Sequence, residues 1–260
     1  MLAVATKAKT LHVLDPRSPS TLTSSPSHDS IRPVRVAWIS PSHLITTGFS
    51  KTATREVLLF SSTPSSLSQI GKQTLDVSPA PLFPHVDVDG GILLLYSRGE
   101  RSCHAFEINP NDKVPFGRLP SFEQGTLQAG FSFAPKGRND VKSVEVIRCL
   151  RLTPSTVEIV SFTVPRARVS IPVSAWNDTD GSGQTEFFQD DVFVHTRDVE
   201  TPTLEAKEWI EGKNVPLRMI DLRPEGMSLC ESPILLLSST TDILCSIGSS
   251  CDDHEGEYEI

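Results

Sequence analysis

Thr156-Val-Glu-Ile-Val-Ser-Phe-Thr-Val-Pro-Arg166 is the stretch whose reading decides the fold. Val157, Ile159, Ser161 and Thr163 alternate with Glu158, Val160, Phe162 and Val164, the period-2 rhythm of a strand rich in β-branched and aromatic residues. Pro165 ends the run, because proline cannot donate to a ladder. A lone strand is not stable in water, so the residues before it must supply its sheet.

They supply it repeatedly. Leu127–Phe133 and Val144–Leu152 precede the strand; Leu82–Val88, Ile92–Tyr96, Cys103–Ile108 and Val114–Leu119 form an earlier set. Val34–Ile39, Leu44–Phe49, Glu56–Phe60 and Ser68–Val77 form one before that. The first strands of the three sets begin at 34, 82 and 127, a spacing of 48 and then 45 residues. Four short strands recurring at that period predict the blades of a β-propeller. Leu2–Asp15 reads as two further strands ending in Leu14-Asp15, where a WD repeat carries its Trp-Asp, so the chain is expected to start within a repeat. The Ser- and Pro-rich residues 16–33 read as a loop, and His28 in it as a hydrogen-bonded structural histidine. The fold class expected is therefore all-β: an incomplete WD40-type propeller of about three and a half blades over residues 1–166.

Beyond it, residues 167–186 include Asn177-Asp-Thr-Asp-Gly-Ser-Gly183 and have no apolar period, which predicts a flexible insert. Residues 187–227 read as an extension docked on the propeller through Phe187, Phe188, Phe193 and Trp209. Within it, Leu204, Trp209 and Ile210 have roughly helical spacing, and Gly212 is placed to end that helix. Residues 228–260 read as a disordered, Ser-rich acidic tail.

Several of these segments, read together, resemble one family. Asp140-Val-Lys-Ser-Val-Glu-Val-Ile-Arg-Cys-Leu-Arg-Leu152, Val164-Pro-Arg166, Phe187-Phe-Gln-Asp-Asp-Val-Phe193 and Ala206-Lys-Glu-Trp-Ile-Glu-Gly212 look like the end of a coronin propeller and its C-terminal extension. The wording is nearest that of the long, two-propeller coronins and covers roughly residues 1–227. The resemblance implies a WD-repeat protein of the cytoplasm and cytoskeleton that binds filamentous actin, with other proteins meeting the propeller surfaces. It also implies a link to Golgi traffic and an extension that crosses the base of the propeller. The family's tail motifs for other actin partners are missing, because residues 228–260 lack a tryptophan and a basic helical stretch.

Composition narrows the function further. Residues 1–170 carry 19 Lys and Arg against 13 Asp and Glu, and residues 171–260 carry 5 against 19. A basic body suits an acidic partner, which an acidic tail would oppose. No apolar run approaches the roughly 18 residues of a membrane span. Five cysteines, an odd number without close pairing, suit a reducing compartment.

Chemistry-bearing residues are sparse. Asp87-Val-Asp-Gly-Gly91 opens like a calcium loop but lacks its later ligands, so it reads as a hairpin turn. Asp190-Asp191 lacks a nucleophile beside it, and His85, His104 and His195 have no zinc spacing. No enzyme, no cofactor, no metal and no nucleic-acid partner is expected. The candidate partner-facing residues are Arg98 and Arg101, flanking Gly99-Glu100, or Lys136 and Arg138, flanking Gly137. The first pair joins the second and third strands of a blade and the other joins the first and second, so they lie on opposite rims. Two functions follow: an actin-filament-binding regulator of the cytoskeleton, or a scaffold in Golgi and vesicle traffic or ubiquitin-ligase assembly that does not touch actin.

Overall fold

The structure, a computed structural model, describes residues 1–18, 20–163, 188, 192–193, 196–227 and the backbone of 244–248. Its body is a stack of antiparallel sheets. Strands β1 (Leu2–Ala5), β2 (Thr10–Leu14) and β3 (Thr21–Pro26) form the first sheet. Strands β4 (Arg35–Ser40), β5 (His43–Phe49), β6 (Arg55–Thr63) and β7 (Ser66–Thr74) form the second. The third comprises β8 (Phe83–Asp87), β9 (Ile92–Tyr96), β10 (Ser102–Ile108) and β11 (Phe116–Glu123). In the fourth, β12 (Gly130–Phe133), β13 (Glu145–Leu152) and β14 (Val157–Thr163) are followed by β17 (Leu244–Gly248).

Two findings differ from the sequence reading. Residues 16–33, expected as a loop, contain β3, whose pairing from Thr10↔Pro26 to Leu14↔Thr21 uses polar side chains that give no apolar rhythm. The stretch expected as a disordered tail contributes β17, which pairs with β14 from Ile159↔Gly248 to Thr163↔Leu244. The insert expected at 167–186 lies outside the described residues.

Alternation decides how the sheets stack. Ala3, Ala5, Leu11 and Val13 of the first sheet meet Leu44, Leu58 and Phe60 of the second. The other face of the second sheet, with Ile45, Val57 and Leu59, meets Leu93, Leu95 and Phe106 of the third. The third then turns Leu94, Ala105 and Phe122 toward Ile147, Cys149, Val160 and Phe162 of the fourth. Each interior sheet is apolar on both faces because it is covered on both.

Polar groups inside the stack are matched. His28, in the loop before β4, is buried; its Nδ1 lies 3.0 Å from Glu56 Oε1 and its Nε2 2.9 Å from Thr46 Oγ1. Burial lowers its pKa, against the raising effect of Glu56. A Cβ on Gly48 would come within 2.5 Å of that ring, so the site requires glycine. His28 is thus the structural histidine the sequence suggested.

Candidate partner-binding rim and the base it is built on

Hairpin connectivity gives the stack two rims. In the three four-stranded sheets, turns joining each second strand to its third, together with the links between sheets, share one rim. Turns joining first to second strands share the other, with those joining third to fourth. The first rim carries Arg98 and Arg101; the second carries Lys136 and Arg138.

On the first rim, the turn after β9 is held firmly. Gly99 N donates to Gln128 O at 2.7 Å, and Gln128 Nε2 donates to Ser97 O at 3.1 Å and Ser102 O at 2.9 Å. Gly99 adopts φ +78°, a left-handed conformation that lets the turn close tightly. Beneath it, the buried Arg55 donates from Nη1 to Glu100 Oε1 at 2.9 Å and to Ser97 Oγ at 3.0 Å. Its Nε and Nη2 form a two-pronged contact with Asp76, both at 2.5 Å. That contact holds the Asp76 carboxyl below its ordinary range. The turn's own acid, Glu100, is consumed internally, leaving Arg98 and Arg101 exposed.

Arg98 is not alone. Its guanidinium carbon lies 5.4 Å from the centroid of the Phe83 ring, and that of Arg35 lies 4.9 Å from the same ring. Arg32 stands over Phe49 at 4.6 Å. Lys51 is exposed in the turn between β5 and β6. Among the described residues, Arg32, Arg35, Lys51, Arg98 and Arg101 enter no ion pair. The sequence reading missed Arg32, Arg35 and Lys51. The signal was present in part, since strands β4 and β8 start on the same rim as the β9–β10 turn, so Arg35 and Phe83 had to face it.

The second rim is differently used. The hairpin Asp87–Gly91 is a turn, as expected, with Gly91 at φ +64° and Gly90 N donating to Asp87 Oδ2 at 3.2 Å. Lys136 Nζ lies 2.9 Å from Asp87 Oδ2, and both side chains are at most 10 % exposed. Burial raises the Asp87 pKa, against the lowering effect of Lys136. Lys136, in one of the two alternative pairs offered as partner-facing, is thus held by Asp87 within the fold. Arg138 is exposed but paired with Glu200 of the extension.

The extension runs along this rim. Phe188 and Phe193, 3 % and 2 % exposed, pack into the core shared by the third and fourth sheets. Strand β15 (Thr196–Arg197) pairs with β16 (Met219–Ile220), and Thr196 Oγ1 donates to Asp89 in the β8–β9 turn. Helix α1 (Ala206–Ile210) follows, closed at its start by a reciprocal contact between Glu205 and Glu208. It ends with Gly212 N donating to Trp209 O and Lys213 N to Glu208 O, with Gly212 at φ +101°. Trp209 is not buried, contrary to expectation. It is 38 % exposed and carries Arg17 of the first sheet over its ring at 5.4 Å. Phe187, Asp190, Asp191 and His195 lie outside the described residues.

Among the described residues, no group of three or more His, Cys, Asp or Glu side chains is placed to hold a metal ion, and no helix is long and apolar enough to cross a membrane.

Comparison with known proteins agrees with this architecture. A family model describing a type of WD40 repeat matches residues 183–217. Coronin-7 of Bos taurus is 34 % identical over 229 residues, covering 87 % of this chain and 23 % of that protein. Coronin-A of Dictyostelium discoideum is 31 % identical over 218 residues, covering 83 % of this chain and 44 % of that protein. The chain thus spans less than half the length of these curated relatives. The crystal structure of the WD40 domain from Toxoplasma gondii coronin superposes with a TM-score of 0.70 at 25 % identity, over 85 % of this chain and 53 % of that one. Stacked four-stranded sheets, an extension tied along one rim and these matches together place the chain in the coronin family of WD-repeat, β-propeller proteins.

Proposed function

We propose that the chain is a non-enzymatic, actin-filament-binding regulator of the cytoskeleton, and that it meets the filament with the rim carrying Arg32, Arg35, Lys51, Arg98 and Arg101. The family resemblance of the sequence supplies actin as the partner. The observation that carries the choice of rim is that, among the described residues, these basic side chains enter no ion pair, whereas Lys136 and Arg138 on the other rim are engaged with Asp87 and Glu200. An acidic filament surface is the kind of partner such a strip attracts. Rim charges of this sort act over about 10 Å at 0.1 M salt and about 3 Å at 1 M, so binding should fall as salt rises.

Co-sedimentation with actin filaments across a salt series tests the reading. Pelleting at low salt that weakens with Arg35→Glu and Arg98→Glu, and is unchanged by Arg138→Glu, is the expected result. No pelleting at any salt would overturn it and leave the scaffold reading, in traffic or ubiquitin-ligase assembly, in its place. Golgi association has no support in the fold or in the relatives and is not proposed.

A further inference from the structure

Arg55 begins β6 and is only 2 % exposed, yet its guanidinium reaches the two acids nearest the basic rim. Nη1 donates to both carboxylate oxygens of Glu100, at 2.9 and 3.0 Å. Nε and Nη2 take the two oxygens of Asp76. A planar fork can hold two carboxylates at once in this way, which the point charge of a lysine cannot. Both acids lie where they could cancel the rim. Glu100 stands between Arg98 and Arg101 in the chain, and Asp76 belongs to the link between β7 and β8. Left free, either carboxylate would offset a neighbouring guanidinium and lower the local positive potential.

The same guanidinium steadies the ring on which Arg98 lies. Nη1 also donates to Ala80 O at 3.4 Å and to Ser97 Oγ at 3.0 Å, and Ser97 Oγ donates on to Pro81 O at 2.9 Å. Two residues further, Phe83 starts β8 and carries the guanidiniums of Arg35 and Arg98. We propose that Arg55 is the positioning residue of the basic rim: from the interior it withholds Glu100 and Asp76 from the rim's arginines and sets the ring that orients Arg98. Its part in binding rests on the filament reading, whereas its control of the potential at the rim does not.

Two readouts on the full chain test this. Relaxation of the Arg98, Gly99 and Arg101 amides by an anionic nitroxide, measured against a neutral one, reads the potential at the turn without actin. Co-sedimentation with actin filaments reads binding. Arg55→Met should lower the preference for the anionic nitroxide and weaken filament binding about three- to tenfold, the loss of one or two exposed charge contacts. Adding Glu100→Gln should recover both readouts. Adding Asp112→Asn instead, which removes one acid from an exposed turn on the opposite rim, restores the same net charge and should recover neither. Glu100→Asp keeps Arg55 and every charge but shortens the acid by one methylene, so it should depress both readouts more than Glu100→Gln does. That comparison decides the matter if circular dichroism shows that Arg55→Met does not fold. The proposal is overturned by an unchanged potential in a folded Arg55→Met chain, by equal recovery with Asp112→Asn, or by Glu100→Asp matching Glu100→Gln. A changed potential with unchanged pelleting overturns the part of Arg55 in binding. Should the wild-type chain not pellet at any salt, the filament reading falls and the nitroxide readout alone decides the role of Arg55.

Discussion

Arg17 stands over the indole of Trp209 with its guanidinium carbon 5.4 Å from the ring centroid, and the same guanidinium donates to Asn214 Oδ1 at 3.2 Å. One side chain of the first sheet therefore clasps both the helix of the extension and the residues just after it. Since Phe188 and Phe193 anchor the other end of the extension between the third and fourth sheets, the segment bridges the whole stack along one rim.

The two anchors should differ in weight. Phe193 is almost fully buried, so Phe193→Ala should lower unfolding free energy by about 3–5 kcal/mol. Trp209 is partly exposed and contributes chiefly a cation–π contact, so Trp209→Ala should cost about 0.5–2 kcal/mol. Chemical denaturation of the two variants side by side checks the order, and equal losses would refute it.

Lys136 offers a test that separates structure from binding. With Asp87 buried beneath it, Lys136→Met leaves a carboxylate without its cation and should destabilise by about 3–5 kcal/mol. Adding Asp87→Asn should recover most of that loss. A double-mutant cycle measured by denaturation reads the coupling, and additive losses would show that the pair does not matter to the fold.

Acid should loosen the junction between the third and fourth sheets. His85 stacks on Phe133 with ring centroids 3.6 Å apart, and burial brings its pKa down to about 4. In the unfolded chain the imidazole titrates near 6.5, so between about pH 6.5 and 4 the unfolded state holds a proton that the folded state refuses. Stability is then full above about pH 6.5 and falls as pH drops toward 4, by at most about 3 kcal/mol at 1.36 kcal/mol per pH unit. His85→Phe keeps the stack and removes the proton, so its stability should vary less over that window. An unchanged pH profile in the variant would assign the acid sensitivity elsewhere.

What was legible in the sequence was what repeats. The apolar run of Leu44–Phe49, buried on both faces, the alternation of Val157–Thr163, buried on one, and the return of such strands at 82 and 127 carry the propeller directly. Strand β3 escaped because Thr21, Ser24 and Ser25 lie at an outer edge, where hydrogen bonding along the ladder needs no apolar side chain. The basic rim proposed to meet a partner was half legible. Arg98 and Arg101 stand out beside a glycine, but the fate of Lys136 depends on a carboxylate 49 positions away, and local sequence holds no sign of that pairing. Trp209 misled for a related reason: a large aromatic among charges suggests a buried anchor, yet a cation from the first sheet covers it instead.

The fourth sheet's outer strand makes the last prediction. β14 has one edge paired with β13 and the other with β17, through residues Ile159 to Thr163. Removing residues 241–260 should strip that second edge and leave its amide and carbonyl groups facing water. An uncovered edge both frays and recruits strands from other chains. Amide hydrogens of β14 that bond β17 should therefore exchange faster in the truncated chain, while those of β5 and β9, central in their own sheets, should not change. The truncated chain should also aggregate sooner on standing than the intact one. If β14 exchanges at the same rate with and without residues 241–260, β17 does not hold that edge in solution, and the fourth sheet is three-stranded.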